Sequence, residues 1–129
     1  MNGYLLDTGV ALIAVGMPEK LPAQVRKAIE RGPAFLSVVA YWEVMIKSMK
    51  GTLDVGDPRQ WFSLTIEELA LRPLLFRPEH IAALYPLAPL HQDPFDRALI
   101  AQATAENLTL LTTDATIPAY ASARLRVIR

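Results

Sequence analysis

Two patterns of apolar residues alternate along the chain. Short runs rich in apolar residues read as buried strands, whereas the segments between them carry apolar residues three or four positions apart, the spacing of an amphipathic helix. The short runs are YLLD, AFLS, LRPLLF, LTLLTT and RVIR. Because short strands alternate with helices, we predict a mostly parallel central sheet covered on both faces, which is a three-layer α/β/α sandwich.

Glycine, proline and aspartate predict where the helices begin and end. LRPLLF is expected to be an edge strand, because Pro73 has no N–H to donate within a sheet. The segment PEHIAALY predicts another short helix. The other expected limits are Gly16 as the end of a first helix, Glu19 to Arg31 for the second, Ser37 to Gly51 for the third, Asp57 to about Ala70 for the fourth, and Asp93 to near Asn107 for the last.

Length and composition narrow the class of protein. The 129 residues suit one domain, 1–129, and the absence of cysteine excludes a disulfide framework and a cysteine zinc site. Thirteen basic residues balance thirteen acidic ones, so a nucleic acid would not be held by net charge alone. The apolar stretch from Leu5 to Met17 is too short to span a bilayer, so we expect no membrane association and a cytoplasmic protein.

Acidic residues fall at places where a parallel sheet and its helices could bring them together. Asp7 and Asp114 each follow a predicted strand, and ligands gather beyond the carboxyl ends of parallel strands. Glu43 flanks the apolar stripe of the third helix, and Asp96 lies in the first turn of the last one. Four carboxylates in one crevice repel one another unless cations neutralise them, and oxygen ligands suit Mg²⁺ or Mn²⁺.

Each acid also has an ordinary structural interpretation. An aspartate after a strand commonly caps the next helix, which would account for Asp7 and Asp114. Glu43 could form a surface ion pair with Lys47 one turn later, and Asp96 could simply complement the helix dipole. Considered one at a time, these interpretations are the more economical; the occurrence of all four acids in separate segments favours a shared site.

Four segments resemble PIN-domain ribonucleases, and among them most of all the VapC toxins of toxin-antitoxin pairs. They are YLLDT at the start, WEVMIKSMKGTL from Trp42, HQDPFDRALIAQA from His91, and LTLLTTD from Leu108. Their order and spacing cover essentially the whole chain, and DPFDRALIAQA is the most specific of them. Two positions depart from the usual pattern: Gly9 stands where relatives often carry a polar residue, and Ala115 where bulkier or charged residues are frequent. Neither departure removes a carboxylate.

The resemblance implies a PIN-like fold and a divalent-metal-dependent endoribonuclease. It implies that Asp7, Glu43, Asp96 and Asp114 form the catalytic set, with Asp7, Asp96 and Asp114 as the principal ligands of Mg²⁺ or Mn²⁺. Asp93 is then a neighbouring acid that caps its helix. The implied partners are an RNA substrate, a VapB-like antitoxin and a second copy of the chain in a homodimer.

Several other residues are weaker candidates. Thr8 and Thr113 could orient ligands through their hydroxyl groups, although threonine at a strand end is common for its β-propensity alone. Arg97 could contact a phosphate or pair with the acids, or be solvated; Lys47 and Lys50 allow the same two interpretations. The remaining expectations are structural: His80 and His91 lack metal-ligand spacing, and Trp42 and Trp61 are expected in the core or an interface.

Two other classes of function remain open at this stage. A receiver or phosphatase-like protein also places acids at strand ends, but LLDTGVA has no second acid beside Asp7 and RVIR has no lysine. A non-catalytic binding module, with acids that only cap helices, is the other alternative. Binding of a divalent ion distinguishes it from a nuclease, because caps alone create no ion site.

Overall fold

The computed structural model describes residues 3–122 and 124–129. Five strands and six α-helices alternate along these residues, together with two short 3-10 turns at Pro18–Lys20 and Ile117–Tyr120. The strands are β1 Tyr4–Leu6, β2 Ala34–Ser37, β3 Arg72–Leu74, β4 Thr109–Leu111 and β5 Val127–Ile128. The helices are α1 Thr8–Gly16, α2 Ala23–Arg31, α3 Val38–Met49, α4 Pro58–Leu69, α5 Pro78–Ala82 and α6 Pro94–Glu106.

The sheet is entirely parallel, with strand order β3-β2-β1-β4-β5. β1 lies at the centre: Tyr4 is in register with Ala34 of β2 on one side and with Thr109 of β4 on the other. Because all strands point the same way, their carboxyl ends share one edge of the sheet. The residues that directly follow β1 and β4 are therefore neighbours at that edge.

The core lies on both faces of the sheet. In β1, Tyr4 and Leu6 pack into one apolar cluster with α1, α2 and α4, whereas Leu5 packs into the other with α6. β4 divides in the same manner, with Leu111 on the first face and Leu110 on the second. Successive strand side chains point to opposite faces, so strands that are apolar throughout require helices on both sides. The predicted three-layer α/β/α fold is confirmed.

Side-chain caps start the helices that carry the acids. The Asp7 carboxylate accepts a hydrogen bond from Val10 N–H at the start of α1, and Ser37 caps α3 in the same way. Asp93 accepts from Phe95 N–H at 2.9 Å, and Pro94 occupies the first position of α6. The predicted caps are therefore confirmed, because short polar side chains satisfy N–H groups that have no partner inside the helix.

The second helix starts later than expected, and β3 lies at the expected edge of the sheet. The helix predicted from Glu19 is wrong at its start: a 3-10 turn ends at Lys20, and α2 begins only after Pro22. Proline restricts the residue before it to extended conformations, and Leu21 has φ −70° and ψ 136°. The edge position of β3, which carries Pro73, is as predicted. Among the described residues, no helix is both long and apolar enough to cross a membrane.

Candidate active site

The four predicted acids converge at the carboxyl edge of the sheet. Asp7 directly follows β1 and Asp114 follows β4, while Glu43 projects from α3 and Asp96 from the first turn of α6. The charges of Glu43 and Asp114 act on Asp7, and those of Glu43 and Asp7 act on Asp96. The fold thus brings together carboxylates that lie more than a hundred residues apart in the chain.

Asp7 is the most enclosed of the three aspartates, with only 4% of its surface exposed. Burial raises the pKa of the Asp7 carboxyl from 3.8 to about 6, although hydrogen bonds from Thr112 and from Val10 N–H act in the opposite direction. Asp7 therefore caps α1 and also lies in the acidic cluster. The two interpretations offered by the sequence are compatible, because one carboxylate can accept several hydrogen bonds.

Thr112 connects Asp7 with Asp114. Its hydroxyl group hydrogen-bonds the Asp7 carboxylate, and its Oγ1 accepts a hydrogen bond from Asp114 N–H at 2.9 Å. Thr113 was the candidate predicted from the sequence, whereas the neighbouring Thr112 makes these two contacts. Side chains alternate along an extended segment, so a shift of one residue reverses the face that each hydroxyl occupies; β4 ends at Leu111, which leaves Thr112 just beyond the pairing with β1.

Glu43 is almost fully buried, with 3% of its surface exposed. Its Oε2 lies 2.7 Å from the ammonium nitrogen of Lys47, so the ion pair foreseen from the sequence exists, but it is not the surface pair that was expected. The other oxygen, Oε1, is buried without a hydrogen-bond partner. A buried carboxylate oxygen without a partner costs folding free energy. We therefore expect a cation or a hydrogen-bond donor to contact Oε1.

Asp96 lies next to further negative charge. Burial, together with the charges of Asp93, Glu43 and Asp7, raises the pKa of the Asp96 carboxyl from 3.8 to about 7. Asp93 itself caps α6, as the sequence predicted, and its Oδ1 also lies 3.4 Å from Asp96 N. Asp96 is thus the acid whose ionised form most needs a positive neighbour.

Asp114 differs because it is well supplied with donors. Its Oδ1 accepts hydrogen bonds from the backbone N–H of Thr116 at 2.8 Å and from the Thr116 hydroxyl at 2.7 Å. These bonds, with a smaller contribution from His91, lower the pKa of the Asp114 carboxyl below its usual value. Asp114 is therefore ionised at neutral pH and supplies a permanent negative charge to the cluster.

His91 lies between two of the acids. Its Nε2 is 3.1 Å from Asp96 Oδ2 and 3.1 Å from Asp114 Oδ2, and the hydrogen bond to Asp114 is the main cause of the raised His91 pKa. The sequence analysis classed His91 as structural because its spacing fits no metal motif. The structure corrects this interpretation, because the loop before α6 brings the His91 ring to the acids. Residue spacing along the chain does not reveal the path of that loop.

Arg97 does not pair with the acids, so that expectation is wrong. Its guanidinium donates to the backbone carbonyls of Ala88 at 2.9 Å, Leu87 at 3.3 Å and His91 at 3.4 Å. It also lies 3.2 Å from the Tyr120 hydroxyl. Arg97 therefore fixes the loop that precedes α6, and its contribution to the site is indirect.

The remaining candidates divide between the site and the scaffold. Thr8 is buried with an unpartnered Oγ1 next to Asp7, whereas Thr113 lies beside Gly9, where an added Cβ would stand 3.7 Å from Thr113 Oγ1 and 3.6 Å from Asp7 Oδ1. The Gly9 departure thus leaves space for a small side chain. His80 is structural as expected: it is buried, accepts from Arg77 N–H and contacts Glu106.

The two tryptophans have different environments. Trp61 is buried in the core, as predicted. Trp42 is 57% exposed and meets Phe95 edge to face, with ring centroids 5.1 Å apart. Trp42 directly precedes Glu43, and Phe95 directly precedes Asp96, so this aromatic pair borders the acidic cluster. Trp42 was expected in the core or an interface; its exposure excludes the core, and the interface stays a prediction.

Oxygen-rich chemistry makes the cluster suited to a hard divalent cation. Carboxylates that repel one another, two of them with raised pKa values and one with an unpartnered buried oxygen, fit Mg²⁺ or Mn²⁺ better than softer metals. His91, Asp96 and Asp114 also place three potential ligand atoms within 4.8 Å of one another. The residues present therefore fit the ion that the sequence suggested.

Comparison with solved structures shows the same fold in several bacterial complexes. The DNA-bound VapBC2 complex of Rickettsia felis contains a chain with a TM-score of 0.71 and 19% identity, over 97% of this chain and 96% of that one. DNA-bound VapBC from Salmonella typhimurium gives a TM-score of 0.71 and 14% identity, over 99% and 98%. VapBC-5 from Mycobacterium tuberculosis gives 0.63 and 20%, over 100% and 99%.

Sequence comparison is informative at the level of the family. No curated protein matches the chain. The family model of the PIN domain, however, matches residues 4–123, which include all four acids of the cluster. With the parallel five-stranded sheet and the likeness in fold to the VapBC structures, this match establishes that the chain belongs to the PIN domain family.

Proposed function

We propose that this protein is a divalent-metal-dependent endoribonuclease and the toxin of a type II toxin-antitoxin pair similar to VapBC. The observation that carries the proposal is the unpartnered Oε1 of Glu43, buried among carboxylates. An isolated buried oxygen of this kind destabilises the fold, whereas a bound cation would give it a partner. The family match and the fold shared with VapBC complexes support the assignment.

Each residue of the acidic cluster has a separate role in this proposal. Asp7, Asp96 and Asp114 would hold Mg²⁺ or Mn²⁺, and Glu43 would bind or orient it while Lys47 restrains the other carboxylate oxygen. Thr112 keeps Asp7 and Asp114 in register through its hydroxyl. A bound ion supplies Lewis-acid stabilisation of the negative charge on a phosphodiester and promotes attack by water. No nucleophile from the protein is required.

The substrate proposed is single-stranded or looped RNA. With thirteen basic and thirteen acidic residues the protein has little nonspecific attraction for a duplex, and proteins usually read RNA sequence through unstacked bases. The exposed Trp42 beside the acidic cluster offers an aromatic surface at the place where such a base would lie. RNA as substrate also accounts for the cytoplasmic location that we propose.

The protein partners proposed are a VapB-like antitoxin and a second copy of the chain. Large apolar side chains are exposed on several elements, and their burial against another chain would be favourable because it removes apolar surface from water. They include Trp42, Met49, Leu64, Leu75, Ile81 and Tyr85. Light scattering at micromolar concentration should give a dimer, and co-expression with an adjacent small reading frame should yield a co-purifying protein; a monomer or no captured product would remove the corresponding partner.

Cleavage of a defined RNA tests the enzymatic proposal. The wild-type protein should cut looped RNA with Mg²⁺ or Mn²⁺ and not in EDTA, and Asp96→Asn and Glu43→Gln should lose cleavage by at least about a hundredfold while remaining folded. Asp57→Asn is the matched control, because Asp57 also caps a helix but lies outside the acidic cluster. Cleavage that persists in EDTA, or in the Asp96→Asn protein, would refute the mechanism.

A further inference from the structure

His91 connects two acids that come from different parts of the chain. We infer that His91 is a positioning residue: its Nε2–H donates to Asp114 and lies against Asp96, so the ring holds both carboxylates in the arrangement that receives the divalent ion. This inference rests on the proposed function. It adds a residue that sequence spacing placed outside the site and gives it a specific task.

The hydrogen bonds of the ring define which nitrogen carries the proton. Nδ1 accepts a hydrogen bond from the backbone N–H of Asp93 at 3.1 Å, so the lone pair of Nδ1 points to the backbone. In the neutral ring the proton then resides on Nε2. Nε2–H donates to Asp114 Oδ2 at 3.1 Å, and the same nitrogen lies 3.1 Å from Asp96 Oδ2.

Within the described part of the chain, no other side chain is recorded in contact with both Asp96 and Asp114. Asp96 is carried by α6, whereas Asp114 lies beyond β4, and Thr112 links Asp114 only to Asp7. Partners of this kind orient ligating carboxylates, and their loss typically lowers metal affinity by about 10- to 100-fold. His91 completes the frame that Thr112 begins on the other side of the cluster.

The backbone that carries His91 is itself held in place. The Tyr120 hydroxyl accepts hydrogen bonds from His91 N–H at 2.8 Å and Leu90 N–H at 2.9 Å, and donates to Ala88 O at 2.7 Å. Arg97 adds its bonds to the carbonyls of the same loop. A side chain on a loop fixed at so many points can hold its neighbours to a defined geometry.

The same hydrogen bonds argue against His91 as a direct ligand. Ligation through Nε2 requires that this nitrogen lose its proton, and the proton would then have to move to Nδ1, which faces the Asp93 N–H. Two N–H groups would oppose each other. The ring is therefore built as a hydrogen-bond donor to the carboxylates, and removal of that donor should weaken ion binding.

Two substitutions separate the two nitrogens of the ring. In His91→Asn the amide oxygen can take the place of Nδ1 and keep the bond from Asp93 N–H, but the donor to the acids is lost. In His91→Gln the amide nitrogen reaches the place of Nε2 and keeps that donor, while the acceptor for Asp93 N–H is lost. Mn²⁺ titration calorimetry on chelator-treated protein, with thermal unfolding of each metal-free variant, is the measurement.

We expect His91→Asn to weaken Mn²⁺ binding by about 10- to 100-fold and His91→Gln by less than about threefold. RNA cleavage by His91→Asn should recover as Mn²⁺ is raised to saturation, because the defect lies in holding the ion. The reverse order of affinities would assign His91 to the loop alone, and tighter binding in His91→Asn would show that the ring blocks the ion. Either result overturns the inference, as does cleavage that stays low at saturating Mn²⁺.

The wild-type protein distinguishes failure of this inference from failure of the proposed function. Wild-type protein that neither binds Mn²⁺ nor cuts RNA would refute the proposed nuclease itself. Wild-type protein that does both, with equal Mn²⁺ affinity in His91→Asn, would leave the nuclease standing and refute the role of His91.

Discussion

The ammonium nitrogen of Lys47 lies 2.7 Å from Oε2 of Glu43, whereas Oε1 of the same carboxylate is buried without a hydrogen-bond partner. Lys47, one turn along α3 from Glu43, thus pairs with one of the two oxygens of this buried carboxylate. The hydrogen bond to Glu43 raises the pKa of Lys47 above its usual value, so the ammonium group remains charged throughout the neutral range. In the metal-free protein Lys47 is the principal counter-charge of Glu43.

The first prediction concerns this ion pair. Lys47→Met should lower the free energy of unfolding of the metal-free protein at pH 7.5 by about 1–2 kcal/mol, because a buried charge loses its partner; solvent access to Lys47 limits the loss. Saturating Mn²⁺ should recover part of it. Urea unfolding measures the effect, with Lys50→Met at the C-cap of α3 as control. Equal stability of the two variants would contradict the role assigned to Lys47.

Asp7 should show opposite effects on activity and stability. Asp7→Asn preserves the cap of α1, since asparagine and aspartate cap equally well, but it removes a charge that burial disfavours. Cleavage of RNA should disappear, while the free energy of unfolding of the metal-free protein at pH 7.5 should rise by about 1–3 kcal/mol. Urea unfolding in EDTA checks the second effect. A destabilised variant would mean that Asp7 is principally structural.

Stability of the metal-free protein should fall as the pH rises. The folded pKa values of Asp7, about 6, and Asp96, about 7, exceed the ordinary value of 3.8, so the folded state binds more protons than the unfolded state between pH 4 and 7. The lowered pKa of Asp114 has its effect below pH 4, outside this range.

Melting temperatures in EDTA test this dependence. The protein should melt at a lower temperature at pH 8 than at pH 5, and the difference should shrink in an Asp7→Asn, Asp96→Asn double variant, which lacks the two raised groups. A difference of unchanged size in the double variant would show that other groups cause it.

Divalent ions should stabilise the wild-type protein by mass action. At a hundredfold excess of Mn²⁺ over its dissociation constant the gain is about 2.7 kcal/mol, which corresponds to several degrees in melting temperature. The double variant should gain little, because the charges that attract the ion are missing. Ca²⁺ is a useful comparison, since it also prefers oxygen ligands but needs more of them. A melting temperature that Mn²⁺ leaves unchanged in the wild type would count against the site.

Local sequence signals predicted the fold well. Apolar strands between capped helices required cover on both faces of a parallel sheet, and Pro73 placed β3 at the edge. The start of α2 was misplaced because the apolar spacing around Leu21 continues through Pro22, where the backbone does not. Periodicity reports which side chains are buried, but proline decides where a helix can begin.

The candidate site was only partly predictable. Strand ends and helix starts pointed to the acids, since those positions follow from the topology of a parallel sheet. His91, Thr112 and the exposure of Trp42 depend on loop conformation and on one-residue differences in direction, which leave no periodic signal. For Arg97 the sequence left phosphate contact, pairing with the acids and solvation open, and none of these three interpretations points to the carbonyls of the preceding loop, which it binds.

The central place of β1 has a consequence for synthesis of the chain. β1 pairs early with β2, but its other neighbour, β4, lies about a hundred residues further on, and Asp114 comes after it. Chains emerge from the ribosome amino-terminus first, and contacts distant in sequence form last. A nascent chain therefore exposes one side of its central strand, and its acidic cluster is incomplete, until β4 and Asp114 have been synthesised.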